Sequence, residues 1–150
     1  MTDRGVRNIT SVYLAFLKAV DLTDKSRKEV GALGERIAAQ YVEKHGMRVV
    51  DKNYSKKTGE IDLIAQEGET LHFIEVKSVL VDEFFDEYAV RDEYDPSVNL
   101  HANKIRKIAR TSEWYVLEKK WAGDSQVDGC LVWLRRRDGA ARVQYLPQIV

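Results

Sequence analysis

The sequence predicts an α/β domain built around a central sheet, and three observations carry that reading. Residues 59–65 and 71–77 alternate apolar and polar side chains as strands do. Leu33, Ile37 and Tyr41 recur at helical spacing behind a Ser-Arg-Lys-Glu capping signal. Val127 to Leu134 is a run of strongly strand-forming residues. In chain order the elements run helix, three strands, helix, two strands.

The first helix starts at Ser26, whose hydroxyl can cap while Glu29 reaches back, and Gly46 supplies its stop. Glu35 lies on a flank shared with Ala38, Ala39 and Val42, a small-residue face suited to close approach to a sheet. A carboxylate is out of place there unless it has a task, although a plain helix-surface acid remains open. Met47 to Tyr54 reads as the first strand. The stretch from Val79 to Pro96 mixes Phe84, Phe85, Tyr88 and Tyr94 with acids and reads as a loop or a short helix. Ile105, Ile108, Ala109 and Ser112 mark a second helix that Tyr115 and Val116 continue, with Lys104, Lys107 and Thr111 on another face. Arg142 to Leu146 pairs with the Val127 run across a turn at Asp138-Gly139. Residues 1–25 form an N-terminal extension, partly helical, and residues 26–150 one domain with an acidic insertion at 82–95.

The hairpin in the middle holds a conflict. Gly68-Glu69 suits a type II′ turn, which sets Glu67 against Thr70, Ile64 against Phe73, Asp62 against Glu75 and Glu60 against Lys77. Asp62 and Glu75 would then face each other with α-carbons roughly 4.5–5.5 Å apart. At about 4 Å and an effective dielectric near 20, the repulsion is of order 4 kcal/mol, a large share of a small domain's stability. Lys77, on the Glu75 face, offsets one charge, and a divalent cation would offset two more. The alternative for Glu60 and Lys77 is an ordinary cross-strand ion pair.

With 150 residues, 44% of them hydrophobic, the chain can bury one core but not two comfortable ones. A single cysteine, Cys130, excludes an intramolecular disulfide framework and, flanked by Leu131, Val132 and Trp133, reads as a buried thiol in a reducing compartment. The apolar stretch from Ile9 to Val20 is interrupted by Thr10, Ser11 and Lys18 and does not read as a membrane span or signal. The expectation is an intracellular, cytoplasmic protein that meets no membrane; Arg4 and Arg7 leave a mitochondrial or nuclear address open. Acids and bases balance at 24 each, so no overall basic excess marks a nucleic-acid binder. Their distribution is uneven. Seven acids between Asp82 and Asp95 oppose Arg91 alone, while bases gather at Lys25, Arg27 and Lys28, at Lys104, Arg106, Lys107 and Arg110, and at Arg135 to Arg137. Such runs are ordinarily solvated faces. His45, His72 and His101 lack ligand spacing and read as capping, sheet or surface residues. Trp114, Trp121 and Trp133 read as core or dimer surface rather than base-stacking platforms.

Glu35, the run Gly59-Glu60-Ile61-Asp62-Leu63-Ile64-Ala65, the run Phe73-Ile74-Glu75-Val76-Lys77 and the helix carrying Lys104 occur in an order that resembles the YraN-like family. That family is similar to Holliday-junction resolvases and, by resemblance, to the PD-(D/E)XK nucleases. The resemblance covers roughly Gly31 to Leu134. The acid-x-Lys triplet alone is uninformative, since Glu118-Lys119-Lys120 also satisfies it; the whole hairpin is the signal. It implies a restriction-endonuclease-like core, a central mixed β-sheet flanked by helices. It also implies a metal-dependent endonuclease that hydrolyses phosphodiester bonds in DNA, branched or structured DNA included. Asp62 and Glu75, with the Val76 carbonyl, would hold Mg²⁺ or Mn²⁺. Lys77 would orient the attacking water and stabilise phosphate charge, and Glu35 would complete the catalytic set. Lys104 and Lys107 would bind nucleic-acid phosphates. Asp128 matches an acid that tends to open the family's late strand, without a catalytic step. A homodimer is expected only by analogy with the resolvases. Val79 replaces an arginine common two residues beyond the lysine, Ser55 replaces a common basic residue, and the 82–95 run would repel a phosphate backbone. The alternative function is a non-catalytic nucleic-acid-binding or protein-interaction module that keeps the fold.

Overall fold

The computed structural model describes residues 11–14, 20–84 and 102–150, with 11–14 and 102 described by their backbone alone. In chain order these form β1 (Ser11–Leu14), α1 (Arg27–Lys44), β2 (Arg48–Lys56), β3 (Gly59–Glu67), β4 (Thr70–Val81), α2 (Ala102–Glu118), β5 (Asp124–Arg135) and β6 (Ala140–Leu146). The strands make one sheet in the order β1-β6-β5-β4-β3-β2. Every pairing is antiparallel except β4 with β5, whose connection carries α2. This is the mixed α/β architecture expected, a sheet flanked by helices as in restriction-endonuclease-like cores.

Local chemistry explains the elements. The capping box forms at Ser26: the Glu29 amide donates to Ser26 Oγ at 3.1 Å, and the Ser26 amide donates to Glu29 Oε1 at 3.2 Å. The helix ends at His45, beyond which Gly46 takes a left-handed φ of +87°. Gly68 opens the β3–β4 turn at φ +58°, whereas Glu69 stays out of the left-handed region, as a type II′ turn requires.

Ser11–Leu14 of the N-terminal extension forms a strand on β6, so that β6 is not an edge, and the helical part expected of the extension falls outside the described residues. The rest of residues 1–19 lies outside the described residues. Val79 to Val81 is neither loop nor helix: parallel pairing with Trp133 to Arg135 extends β4 through Val81. Residues 85–101, with most of the acidic insertion and His101, lie outside the described residues.

Each helix buries one face of the sheet. From α1, Val30, Ile37, Ala38, Tyr41 and Val42 pack with Leu63, Ala65, Ile74, Cys130, Val132 and Tyr145. From α2, Ile108 and Tyr115 pack with Tyr54, Ile64, Leu71, Phe73 and Val127 on the opposite face. Cys130 is fully buried, and its thiol is pushed up to about 12 by that burial, which makes it chemically inert. Trp133 belongs to the core, Trp121 is half-buried, and Trp114 is exposed. No described helix is long and apolar enough to cross a membrane.

Asp128 is fully buried in β5 and satisfied from several directions. His72 Nδ1 lies 2.6 Å from Oδ2, and the Tyr145 hydroxyl donates to the same oxygen. Gln126 Nε2 and the Gln148 amide donate to Oδ1 at 2.8 Å each. These bonds hold the Asp128 carboxyl below the usual carboxylate range although burial opposes them. The network ties β4, β5, β6 and the C-terminal residues together.

Gly34 sets the closeness of α1 to β4. A Cβ there would lie 1.7 Å from Ser78 Oγ and 2.8 Å from Ser78 Cβ, so the helix could not keep its distance. Gly34→Ala should destabilise the fold by about 1–3 kcal/mol in urea unfolding. Ser78→Gly in the same chain should recover most of that loss. Strictly additive effects of the two substitutions would contradict a direct steric contact.

Candidate active site

The β3–β4 register follows the sequence pattern from the turn inward: Glu67 pairs with Thr70, Gln66 with Leu71, Ile64 with Phe73, and Leu63 with Ile74. There the ladder stops. β3 continues alongside β2 to the pair Gly59–Lys56, and β4 continues alongside β5 to Val81–Arg135. The expected ladder pairs Asp62–Glu75 and Glu60–Lys77 therefore do not form, and the sheet forks where they would have been. Alternation slips at the same point: Leu63 and Ala65 pack in the α1 cluster, but Ile61 joins Ile64 in the α2 cluster.

Asp62 occupies the fork. Its Oδ2 accepts the Val76 amide at 2.8 Å, replacing a main-chain acceptor that the parted strands no longer offer. Glu35, carried in by α1, and Glu75 of β4 stand beside this carboxyl and feel its charge. Three acids predicted to act together thus meet at one place. Crowded, half-buried carboxyls keep protons to a higher pH than isolated ones. Burial, then the Asp62 charge, pushes the Glu75 carboxyl up to about 7, against the pull of Lys104. Burial, then the charges of Asp62 and Glu60, push Glu35 up to about 7, with Lys52 opposing.

Cations face the acids. Lys104 Nζ lies 2.5 Å from Glu75 Oε1, an exposed ammonium on a buried carboxylate. α2 is held in register for this contact by Thr111, whose hydroxyl lies 2.7 Å from that of Thr58 in the β2–β3 turn. Lys77 lines a cleft of about 770 Å³ together with Glu35, Asp62, Glu75, Val76 and Lys104. A second cleft, about 490 Å³, holds Asp62, Glu75, Lys104 and Lys107 on the α2 side. All the predicted site residues therefore line these two clefts at the fork: Glu35, Asp62, Glu75, Val76, Lys77, Lys104 and Lys107.

Hard oxygen donors from two carboxylates and a main-chain carbonyl suit Mg²⁺ or Mn²⁺. As the side chains stand, no group of three or more His, Cys, Asp or Glu among the described residues is arranged to hold a metal ion. The Lys104 ammonium already pairs with one of these carboxyls, that of Glu75. His45 caps α1, with its ring Nδ1 2.7 Å from the Tyr41 carbonyl, and His72 belongs to the Asp128 network.

Sequence reading passed over one set of residues. Lys25, Arg27 and Arg136 line the larger cleft alongside the acids. Their charge clusters were visible in the sequence, but no spacing signal places a β5–β6 turn beside the start of α1.

A carboxyl raised in the folded state holds its proton more tightly there than in the unfolded chain. Between the ordinary 4.5 and about 7, folding takes up protons, and stability falls as pH rises. Asp138, held at about 2 by Arg135, contributes stability that is lost only in more acidic solution. Without divalent cations, the wild type should therefore lose stability from pH 5 to pH 8, on the order of 2 kcal/mol. Glu75→Gln should flatten that decline in thermal unfolding. Equal slopes in the two proteins would contradict the assignment.

The family model described as "Uncharacterised protein family UPF0102" matches residues 34–138. A UPF0102 protein of Beutenbergia cavernae is 34% identical over 122 residues, covering 81% of this chain and 96% of that protein. One from Sulfurovum is 36% identical over 106 residues, 70% of this chain and 84% of its own. Another from Campylobacter jejuni is 37% identical over 98 residues, 65% and 78% respectively. The matched span contains the fork, both strands of the hairpin and the lysines of α2, and the chain belongs to the UPF0102, or YraN-like, family.

Proposed function

We propose that this protein is a metal-dependent nuclease that hydrolyses phosphodiester bonds in DNA, branched or structured DNA included. The observation that carries the reading is the fork, where Asp62 accepts the Val76 amide and meets Glu35 and Glu75 with Lys77 and Lys104 alongside. An acid cluster that must hold protons near neutral pH is a cluster short of positive charge. A bound Mg²⁺ or Mn²⁺ would supply that charge, polarise the phosphodiester and lower the pKa of a water.

The chain's own residues take the remaining tasks. Asp62 and Glu75, with the Val76 carbonyl, would hold the ion, and the Val76 amide fixes the Asp62 rotamer in advance. Glu35 offers a carboxyl that is partly protonated near neutrality and can accept or return a proton at the nucleophile. Lys77 would donate to a non-bridging phosphate oxygen and stabilise the charge that grows there. Lys104 would leave Glu75 for a backbone phosphate, joined by Lys107 one turn along α2.

One observation favours a second reading. The Lys104 ammonium already satisfies Glu75, as it would in a non-catalytic nucleic-acid-binding module. Cleavage decides between them. Purified wild type, incubated with linear, branched and single-stranded DNA in Mg²⁺ or Mn²⁺, should cut at least one substrate. Asp62→Ala should abolish cutting, and Lys77→Ala should slow it on the order of 10²- to 10³-fold. Binding without turnover in either metal would select the module, and equal cutting by all three proteins would contradict the proposed site.

A further inference from the structure

Lys107 lines only the α2-side cleft, and Lys104 lines both clefts. The larger cleft continues past the acids in the other direction, and there it is lined by Lys25, Arg27 and Arg136. These residues come from separate parts of the chain, yet the backbone ties them into one frame. The Leu22 amide, just before α1, donates to the Arg136 carbonyl at 2.7 Å, and the Arg136 amide donates to the Val81 carbonyl at the end of β4 at 2.8 Å. Leu22 itself is fully buried. The rim is thus anchored to the strand that carries Glu75 and Lys77.

We propose that Lys25, Arg27 and Arg136 form a second contact for the phosphodiester backbone, opposite Lys104 and Lys107, so that a nucleic acid lies across the fork and is gripped on both sides. The inference rests on the function proposed above and deepens it. The two clefts share Asp62, Glu75 and Lys104 in their linings, with Lys107 in one and Arg136 in the other. A chain bearing a negative charge at every nucleotide is the ligand that matches cations on both sides of a carboxylate centre.

At rest the rim cations have weak partners. Arg136 Nε donates to Asp82 Oδ1 at 2.9 Å, in a pair with the carboxylate 85% exposed, and Lys25 lies 3.5 Å from an exposed Glu29. Exposed pairs of this kind are screened by salt and contribute little, so a phosphate can displace the carboxylate. Asp82 and Glu83, the first acids of the 82–95 run, thereby sit on Arg136 and Arg137 rather than in front of the catalytic acids. Part of the run that the sequence set against nucleic-acid binding is a competitor for the rim.

The test is the salt dependence of binding, read by anisotropy of a fluorescein-labelled DNA duplex with Ca²⁺ in place of Mg²⁺. Arg27→Ala with Arg136→Ala should weaken binding at least about tenfold and reduce the slope of log K against log salt by about 1.8, at roughly 0.9 per lost phosphate contact. Lys119→Gln with Lys120→Asn, exposed charges at the far end of α2, should leave the slope unchanged. An unchanged slope in the arginine variant, while Lys104→Ala with Lys107→Ala lowers it, would overturn the inference and leave the nuclease reading standing. No binding by the wild type at the lowest salt would overturn both. Should the arginine variant fail to fold, Asp82→Asn provides the second measurement: tighter binding supports the rim, and unchanged binding overturns it. Tighter binding of a poly-glutamate peptide than of the duplex would also overturn it, in favour of an acidic protein partner.

Discussion

The parting of β3 and β4 beyond Leu63 and Ile74 is the constraint on which the rest of the site depends. Two strands that could have stayed paired each follow an outer neighbour instead, β2 on one side and β5 on the other. Parting leaves a main-chain amide without a ladder acceptor, and the Asp62 carboxylate fills that role. The same opening gives Glu35 access from α1 and Lys104 access from α2. Had the ladder continued, helices on opposite faces could not have brought side chains to one point through the sheet.

Charge balance follows from that geometry. Three carboxyls in a half-buried fork cannot all ionise cheaply, and the structure offsets them in two ways. Protons are held on Glu35 and Glu75 up to about neutral pH, and the Lys104 ammonium rests on Glu75. Neither is permanent, because protons leave as pH rises and Lys104 is half exposed. A site with replaceable positive charge is suited to exchange it for a cation and a phosphate. The Asp128 network makes an instructive contrast. That acid is more deeply buried, yet four hydrogen bonds hold it below its ordinary range, as befits a structural carboxylate.

Much of this was legible in the sequence because the signals were local. Ser26 and Glu29 bracket a capping box, Gly68 dictates a two-residue turn, and the turn fixes the register as far as Leu63 and Ile74. The same register logic brought Asp62 and Glu75 together as a problem, although it assumed a ladder that in fact ends one pair earlier. What stayed hidden depends on distant contacts. Nothing near Ser11 announces that it will meet Val143, and nothing near Arg136 places it beside Arg27. Asp128 stood out only by resemblance, as an acid opening the late strand, and its partners His72, Tyr145 and Gln148 come from three other segments. The parallel partner of β4 was likewise unreadable, since a crossover connection leaves no register signal.

A divalent cation entering the fork as proposed should displace both protons and Lys104. Calorimetric Mn²⁺ titration at pH 7, repeated in two buffers of different ionisation enthalpy, measures cation binding and proton release together. Binding should expel about one proton per ion, with both signals lost in Asp62→Ala. Binding that releases no protons, or that survives unchanged in Asp62→Ala, would contradict it.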